Sequence, residues 1–368
     1  MPRALALALS LLTCSSCGGG GERPADAGRA TSPVPALGAA AHAATKAKTA
    51  RHDAGSRLRG QTPVPPRFVQ PQARPVPVPR FLGAELSNDD IIGLLGHAFP
   101  QQFKPVGTTS VVFRMRLEGP ISGAFRPRAR THPRGHLAEI AAYHVARLLG
   151  MDQVPPAVSR RVARSRLESR LHPDFVDDWD DLKRAITWDD DGTTEGAAVY
   201  WIPHLHDLGL DTPESIARWN AWLRQGGQIP QESQALASDL SQCILFDYLI
   251  GNWDRFSGGN LMGTPDGRRL FIRDHNLAFG DPIPDNLHER MWQRVVETQR
   301  FSRRQVQALL ALDEASLRAD VDTDPIAESR RILTPAQIRG VLDRRAAILS
   351  HIAELASRLG EQNVLAFP

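Results

Sequence analysis

Two aspartates in one segment of the chain have the residue type and the spacing that phosphoryl transfer requires. Asp254 lies in a polar loop with Asn252, Arg255 and Asn260, and Asp274 follows twenty residues after Asp254. One carboxylate could accept the proton of an attacking hydroxyl, while the other could hold Mg²⁺ or Mn²⁺ on the phosphates. Because Asp, Asn and Gly are also common in turns for backbone reasons, this segment alone allows catalytic and merely structural aspartates about equally.

The elements around these aspartates would hold both of them on rigid backbone. A predicted helix over Gln231–Ile250 leads directly into the loop of Asp254. Two short apolar runs, at 261–262 and 270–272, predict a β-hairpin that ends next to Asp274. We therefore expect both carboxylates to face one cleft.

The N-terminal half supplies candidate phosphate-binding groups. Val111–Leu117 alternates between apolar and polar residues, which predicts a strand, and the preceding turn contains Gly107 and Thr108. A further predicted strand carries Arg126, and the next helix carries Glu139. A cation on a strand paired with an acid on a helix positions nucleotide phosphates in kinases. The sequence alone favours the alternatives, an ordinary hairpin turn and a surface glutamate near a helix N-terminus.

The order of the predicted elements indicates the fold class. Strands and a few helices come first, and the C-terminal third is helical, with a long helix that begins after Thr334 and ends at Gly360. This order predicts an α+β, protein-kinase-like fold with two lobes over residues 81–368. The small mixed N-lobe would cover about 81–203, and the mainly helical C-lobe about 204–368.

Three further segments have simpler interpretations. Residues 177–192 are rich in Asp and Trp and predict a solvated insert, with a docking surface for a basic substrate as the alternative. Cys243 and Asp247 lie on the helix before the candidate loop, and we expect both to be buried, with Asp247 supporting the loop. His275 is interpreted as a local loop residue.

The chain also lacks the Gly-x-Ser-x-Gly and His-Glu-x-x-His motifs of common hydrolases.

The first seventeen residues have the pattern of an export signal. Arg3 is followed by the uncharged run Ala4–Leu12, which is too short to span a bilayer as a helix, and then by small residues and cysteines. Cys14 and Cys17 each approach a lipoprotein cleavage site without matching it fully. We expect export, either to the bacterial cell envelope through a lipid on one of these cysteines or as a secreted protein.

A basic tether follows the signal. Residues 18–80 are rich in Ala, Gly, Pro and Arg and predict a disordered or semi-rigid linker. Residues 1–80 hold eleven Lys and Arg against three Asp and Glu, so the remainder of this +3 chain carries a net charge of −5. A mildly acidic folded part argues against nucleic acid as a partner, because nucleic acid requires a basic face on the domain.

Three segments of the chain resemble the four-jointed family of secretory-pathway kinases and their Golgi casein-kinase relatives: HLAEIAAYHVARLLGMDQVPPAV, ILFDYLIGNWDR and DHNLAFG. The resemblance implies that Asp254 is the catalytic aspartate and Asp274 the metal-binding aspartate. It also implies that Glu139 pairs with the nucleotide-binding cation. Asn260 would be the second metal ligand, although it follows Asp254 by six residues rather than the usual five.

One departure from the family concerns the nucleotide-binding cation. The family has its lysine in a Phe-Lys-Pro context, and here the same context is Phe125-Arg126-Pro127. Arginine keeps the charge, but its planar fork is not equivalent to a lysine ammonium at a tight phosphate site. Arg126 is therefore either a working substitute or the mark of a weakened or inactive kinase.

The resemblance implies an exported kinase that uses ATP with Mg²⁺ or Mn²⁺ and phosphorylates a hydroxyl of an exported protein or a glycan. A monomer is expected. One alternative is a pseudokinase that serves as a nucleotide- or protein-binding scaffold. Another is a lipid kinase, sugar kinase or nucleotidyl transferase with the same fold.

Overall fold

The computed structural model describes residues 78–107, 110–256, 259–280 and 282–368. These residues fall within one compact unit. The predicted signal, nearly all of the predicted tether, both candidate lipidation cysteines and Thr108 lie outside the described residues.

A five-stranded antiparallel sheet dominates the N-terminal half. Its strand order is β1-β2-β3-β5-β4, and the strands are β1 (Pro100–Val106), β2 (Val112–Leu117), β3 (Ser122–Pro127), β4 (Ala157–Ala163) and β5 (Thr193–Tyr200). Helices α1 (Asn88–His97) and α2 (Gly135–Leu148) pack against this sheet. Ser87 caps α1 by accepting a hydrogen bond from the backbone N–H of Asp90.

One face of the sheet buries an aromatic core. The ring of Phe103 makes edge contacts with Phe113 and with Phe125, and all three side chains are fully buried. The short helices α3 (Arg164–Ser169) and α4 (Trp179–Ala185) follow β4, and Trp179 joins this core with 7% of its surface exposed. The prediction of a solvated insert was wrong for this residue, because a large aromatic side chain gains more from burial than an acidic neighbourhood suggests.

The C-terminal half is mainly helical. Its helices are α5 (Pro213–Leu223), α6 (Gln234–Ile250), α7 (Asp285–Glu297), α8 (Arg303–Ala311), α9 (Glu314–Val321), α10 (Pro335–Leu359) and α11 (Glu361–Val364). A small three-stranded sheet contains β6 (His206–Asp207), β7 (Leu261–Gly263) and β8 (Leu270–Ile272), and β7 and β8 form the predicted hairpin. Within the described part of the chain, every helix is too short or too polar to cross a lipid bilayer.

Helix α6 delivers the chain to the loop of Asp254. It is buried along most of its length, and Cys243 and Asp247 are buried as predicted. Gly251 ends the helix in the left-handed conformation, with φ of 70°. The backbone conformation favours glycine here, and a Cβ atom at Gly251 would lie 2.4 Å from Cδ1 of Ile283, whose side chain would have to move.

Candidate active site

Arg126, at the end of β3, connects the sheet to the loop of Asp274. Its Nε atom lies 3.1 Å from Oε1 of Glu139 on α2, and its Nη2 atom lies 2.8 Å from Oδ1 of Asp274. Nη1 donates to the hydroxyl of Ser110 at 3.0 Å. Sequence reasoning singled out three of these residues, and the structure brings them into direct contact. The sequence did not single out Ser110 as a partner of Arg126, because the position of its hydroxyl depends on the fold.

Glu139 is buried, with 4% of its surface exposed, so the sequence-based alternative of a surface glutamate is wrong. Its Oε2 atom accepts a hydrogen bond from the backbone N–H of His275 at 3.1 Å and lies 3.4 Å from Nδ1 of that residue. Burial alone would raise the pKa of this carboxyl. The hydrogen bond from His275 and the charge of Arg126 outweigh burial and lower the pKa of Glu139 to about 2.

His275 is therefore more than a local loop residue. Its side chain is buried, and its backbone and ring both contact Glu139. It holds the helix acid next to the loop that carries Asp274. A histidine directly after the candidate metal-binding aspartate was the signal available in the sequence, but its partner lies 136 residues earlier.

We expect Glu139→Gln to weaken the acid sensitivity of the fold. Because the folded-state pKa of Glu139 is depressed, its stabilising contribution is present above about pH 4.5 and is lost as the pH falls toward 2. The contribution lost across this window is roughly 3 kcal/mol in the free energy of unfolding. Urea unfolding at pH 7, 5, 4 and 3 measures it, with Glu118→Gln as the exposed control. Equal pH slopes for the wild type and Glu139→Gln would contradict the expectation.

Asp274 has an unusual backbone conformation. Among the described residues, Asp274 and Phe279 are the two non-glycine residues with positive φ, at 63° and 58°. Such conformations are uncommon and persist where the surroundings hold them. Asn252 donates its side-chain amide to the carbonyl of Asp274 at 3.4 Å, and the N–H of Phe279 donates to the carbonyl of Ile250 at 2.7 Å. The end of α6 thus holds both ends of the Asp274 loop.

Arg255 links the loop that carries Asp254 to the segment that carries Asp274. It is 1% exposed, and its Nε and Nη2 atoms donate to the two carboxylate oxygens of Asp247 at 3.0 and 3.1 Å. Its Nη1 atom donates to the carbonyl of Arg273, next to Asp274, and to that of Asn260 at 3.4 Å. A planar fork is required to make all of these contacts at once. Sequence reasoning placed Arg255 in the loop but did not identify this role.

We expect Arg255→Lys to destabilise the protein by about 2 to 4 kcal/mol, because one ammonium cannot satisfy both oxygens of Asp247 and the two carbonyls in a buried site. Chemical denaturation measures this loss. Arg268→Lys, in the exposed hairpin turn, is the matched control. The role of the arginine fork is refuted if both variants unfold at the same denaturant concentration.

Asp254 and Asn260 lie together on the loop between α6 and β7. The side-chain amide of Asn260 donates to the carbonyl of Asp254 at 3.1 Å and lies 3.5 Å from its carboxylate Oδ2. The amide oxygen of Asn260 is then the atom left for a cation. Asp274 accepts the hydrogen bond of Arg126 through Oδ1, which leaves Oδ2 outside that ion pair. Gly107 directly follows β1 and has a φ of 82°.

This donor set fits a cation that is held mainly by phosphates. In the described ranges, no group of three or more His, Cys, Asp or Glu side chains is placed to hold a metal ion. Mg²⁺ bound with a nucleotide typically uses one or two carboxylates, with the phosphates and water completing its shell. Asp274 supplies one such carboxylate, and Nη2 of Arg126 lies 2.8 Å from its Oδ1 atom.

The chain is similar in sequence to a known domain family and to curated kinases. Residues 127–278 match the model of the four-jointed box protein middle domain, a range that includes Glu139 and both candidate aspartates but begins one residue after Arg126. The chain is 24% identical over 268 residues to a human glycosaminoglycan xylosylkinase and 23% identical over 269 residues to the Danio rerio protein of that name. Each match covers 62% of this chain and 63% of the relative, which is less than two thirds of the relative's length.

Solved structures show the same fold. A Golgi casein kinase with Mn/ADP bound aligns with a TM-score of 0.56 and 18% identity, covering 77% of this chain and 79% of that chain. A hydra Fam20 with sugar aligns with a TM-score of 0.58 and 18% identity, covering 77% and 93%. The predicted α+β, protein-kinase-like fold with two lobes is therefore confirmed. The matched middle domain and the curated relatives support the resemblance of this chain to the four-jointed/Fam20-type kinase family.

Proposed function

We propose that this chain is an exported, ATP-dependent phosphotransferase that phosphorylates a hydroxyl group, with Mn²⁺ or Mg²⁺ as its metal. The observation that supports the proposal most is the bridge by which Arg126 contacts both Glu139 and Asp274. It gathers a cation and two acids from the sheet, the helix and the loop, as a kinase site requires. The metal-bound nucleotide supplies the phosphoryl group with part of its charge neutralised.

Each candidate site residue would have its own role in the reaction. Asp254 accepts the proton of the acceptor hydroxyl and orients it. Asp274 and Asn260 hold the metal through carboxylate and amide oxygens. Arg126 binds phosphate oxygens while Glu139 fixes its guanidinium, and Gly107 and Thr108 belong to the turn that would cover the phosphates.

The half-buried residues beside Arg126 offer a surface for the nucleobase. Ala124 lies two residues before Arg126 on β3, so it shares the same face of the strand. Its partner in the sheet is Val199 on β5, and both are half-buried. An apolar surface next to a phosphate-binding cation is suited to a purine ring.

The acceptor is proposed from chemistry that the relatives suggest. A glycosaminoglycan xylosylkinase and a Golgi casein kinase, by their names, act on a glycan and on a protein. We propose that the acceptor here is a glycan hydroxyl or a Ser or Thr of an exported protein. Export, a lipid anchor at Cys14 or Cys17 and a monomeric state belong to the same proposal.

A pseudokinase is the second candidate, and Arg126 is the residue that favours it. Its two ion pairs satisfy Glu139 and Asp274 without a ligand, which suits a scaffold as well as a resting enzyme. A lipid kinase, sugar kinase or nucleotidyl transferase would differ in the acceptor or in the group transferred.

The test is to incubate the purified full-length chain with γ-labelled ATP and Mn²⁺ or Mg²⁺, in parallel with Asp254→Asn. We expect metal-dependent phosphate transfer or slow ATP hydrolysis that falls about 10²- to 10⁴-fold in the variant, which should still bind nucleotide. Mass analysis of the product separates phosphoryl from nucleotidyl transfer. Nucleotide binding without turnover supports the pseudokinase, and the absence of a nucleotide-induced thermal shift rejects the kinase.

A further inference from the structure

We propose that the segment from Asp320 to Gln337, which we call the brace, holds Glu139 and Asp274 in register across the two lobes. It comprises the end of α9, the connection to α10 and the first turn of α10. The inference rests on the proposed function, because it assigns Asp320 and Gln337 as positioning residues for that site. Asp320 bonds to α2 and Gln337 bonds to the loop after Asp274, so both act on the site through these two elements.

The brace holds the C-terminal half of the helix that carries Glu139. The carboxylate of Asp320 accepts a hydrogen bond from the imidazole of His144 at 2.8 Å, and Nη2 of Arg147 lies 3.6 Å from its other oxygen. His144 is 3% exposed and lies five residues after Glu139 on α2. A charge-assisted hydrogen bond to a buried ring resists displacement of that half of the helix.

The brace also holds the N-terminal end of α2. Arg134, which precedes the helix, donates to the carbonyl of Ile332 at 2.7 Å and to that of Arg331 at 3.3 Å. Helix α2 is therefore tied at both ends to one stretch of the C-terminal half. Twelve of its fourteen residues are buried, so little of its surface is free to slide.

Three further contacts join the brace to the sheet. The carboxylate of Asp324 accepts from the backbone N–H of Ser159 on β4 at 3.0 Å, and the N–H of Ile326 donates to the hydroxyl of Ser159 at 3.1 Å. Arg330 forms an ion pair with Glu195 on β5. The brace thus bonds to the same sheet that carries Arg126.

The other end of the brace holds the loop after Asp274. The side-chain amide of Gln337 donates to the carbonyl of Phe279 at 2.7 Å. Its amide oxygen accepts from the backbone N–H of Thr334 at 2.9 Å, in the capping box that begins α10, and lies 3.5 Å from Nη2 of Arg134. Phe279 has a strained positive φ of 58°, so this hydrogen bond helps to hold the loop conformation.

These contacts have one consequence for the site. If α2 shifts away from the C-lobe, Glu139 withdraws from Arg126 and His275, and the cation loses its orientation toward Asp274. An element that bonds to α2, to the sheet and to the loop opposes that shift. We infer that the site is assembled before nucleotide binds and that the brace keeps it so.

The test uses Asp320→Asn and Gln337→Glu in the full-length chain. Asn at position 320 keeps the size but removes the charge that holds His144 and Arg147. Glu at position 337 keeps the oxygen that Thr334 and Arg134 use but removes the donor to Phe279. Asp322→Asn is the matched control, since Asp322 is exposed and lies two residues after Asp320.

We expect amide hydrogen exchange without nucleotide to become faster over residues 135–148 in Asp320→Asn, and over residues 274–280 in Gln337→Glu. We also expect the KM for ATP to rise about five- to tenfold in each, as one lost charge-assisted or buried hydrogen bond implies. The inference is overturned if both variants exchange and bind ATP like Asp322→Asn, even if they melt at lower temperature. Absence of phosphotransfer in the wild type would refute the proposed function instead, because the exchange measurement requires no catalysis.

Discussion

Replacing Asp274 by Asn is expected to lower metal-dependent phosphotransfer by about 10³-fold or more. A metal ion at this position would stabilise the charge of the transition state by several kcal/mol. About 1.4 kcal/mol corresponds to a tenfold change in rate. Asn keeps the shape of the side chain, and its amide oxygen can still accept from Arg126. The loss should therefore appear in metal dependence and turnover rather than in folding.

The measurement is a titration of activity against Mn²⁺ and Mg²⁺ for the wild type and for Asp274→Asn, with thermal unfolding in parallel. Asp266→Asn is the matched control, because Asp266 is exposed in the turn between β7 and β8 and bonds within that turn. Activity of Asp274→Asn that equals the control at every metal concentration would exclude Asp274 as a metal ligand.

Replacing Arg126 by Met is expected to abolish measurable nucleotide binding and to destabilise the fold. Removing the guanidinium leaves Glu139, which is buried, without its cation, and breaking a buried pair from one side costs about 3 to 5 kcal/mol. Phosphate oxygens lose the cation proposed to bind them. Asp274 also loses its partner at 2.8 Å, which increases the repulsion between the site and an anionic nucleotide.

Arg126→Lys separates the two interpretations of this residue. A lysine restores the side chain that the family resemblance implies, and it can still pair with Glu139. If the chain is a kinase, we expect Arg126→Lys to remain active within about tenfold of the wild type, because the charge is kept while the fork geometry is lost. If it is a pseudokinase in which arginine is the disabling change, Arg126→Lys gains activity that the wild type lacks.

Nucleotide binding by thermal shift and by calorimetry, together with denaturant unfolding, measures both variants. Arg116→Met on the neighbouring strand β2 is the control, because Arg116 is exposed. Arg126 would lose its proposed role if Arg126→Met binds nucleotide as tightly as Arg116→Met does.

Local patterns in the sequence were enough to predict most secondary structure. Helix α1 begins after Ser87, the hairpin of β7 and β8 separates the two aspartates, and α10 begins after Thr334. Capping residues, alternation of apolar residues and glycine at helix ends act within a few positions of the chain, so they can be recognised without the fold. The kinase-like fold followed from the order of these elements and from the family resemblance.

The burial of Glu139 and the role of His275 could not be predicted in the same way. The sequence alone favoured a surface position for Glu139 and a local role for His275, yet their contact joins residues 136 positions apart. Trp179 was placed in a solvated insert because its neighbours are acidic, but one aromatic side chain is free to turn inward while the acids stay in water.

The sequence by itself determined which residues can do chemistry. They are two aspartates on either side of a short hairpin, an asparagine between them, a helix glutamate, and an arginine where the family has lysine. The tertiary structure decided how these groups meet. It placed Arg126 between Glu139 and Asp274 and connected the two loops through Arg255. It also bonded α2 to the segment before α10. The physical reason is that ion pairs and side-chain hydrogen bonds act over about 3 Å in space, whatever the separation along the chain.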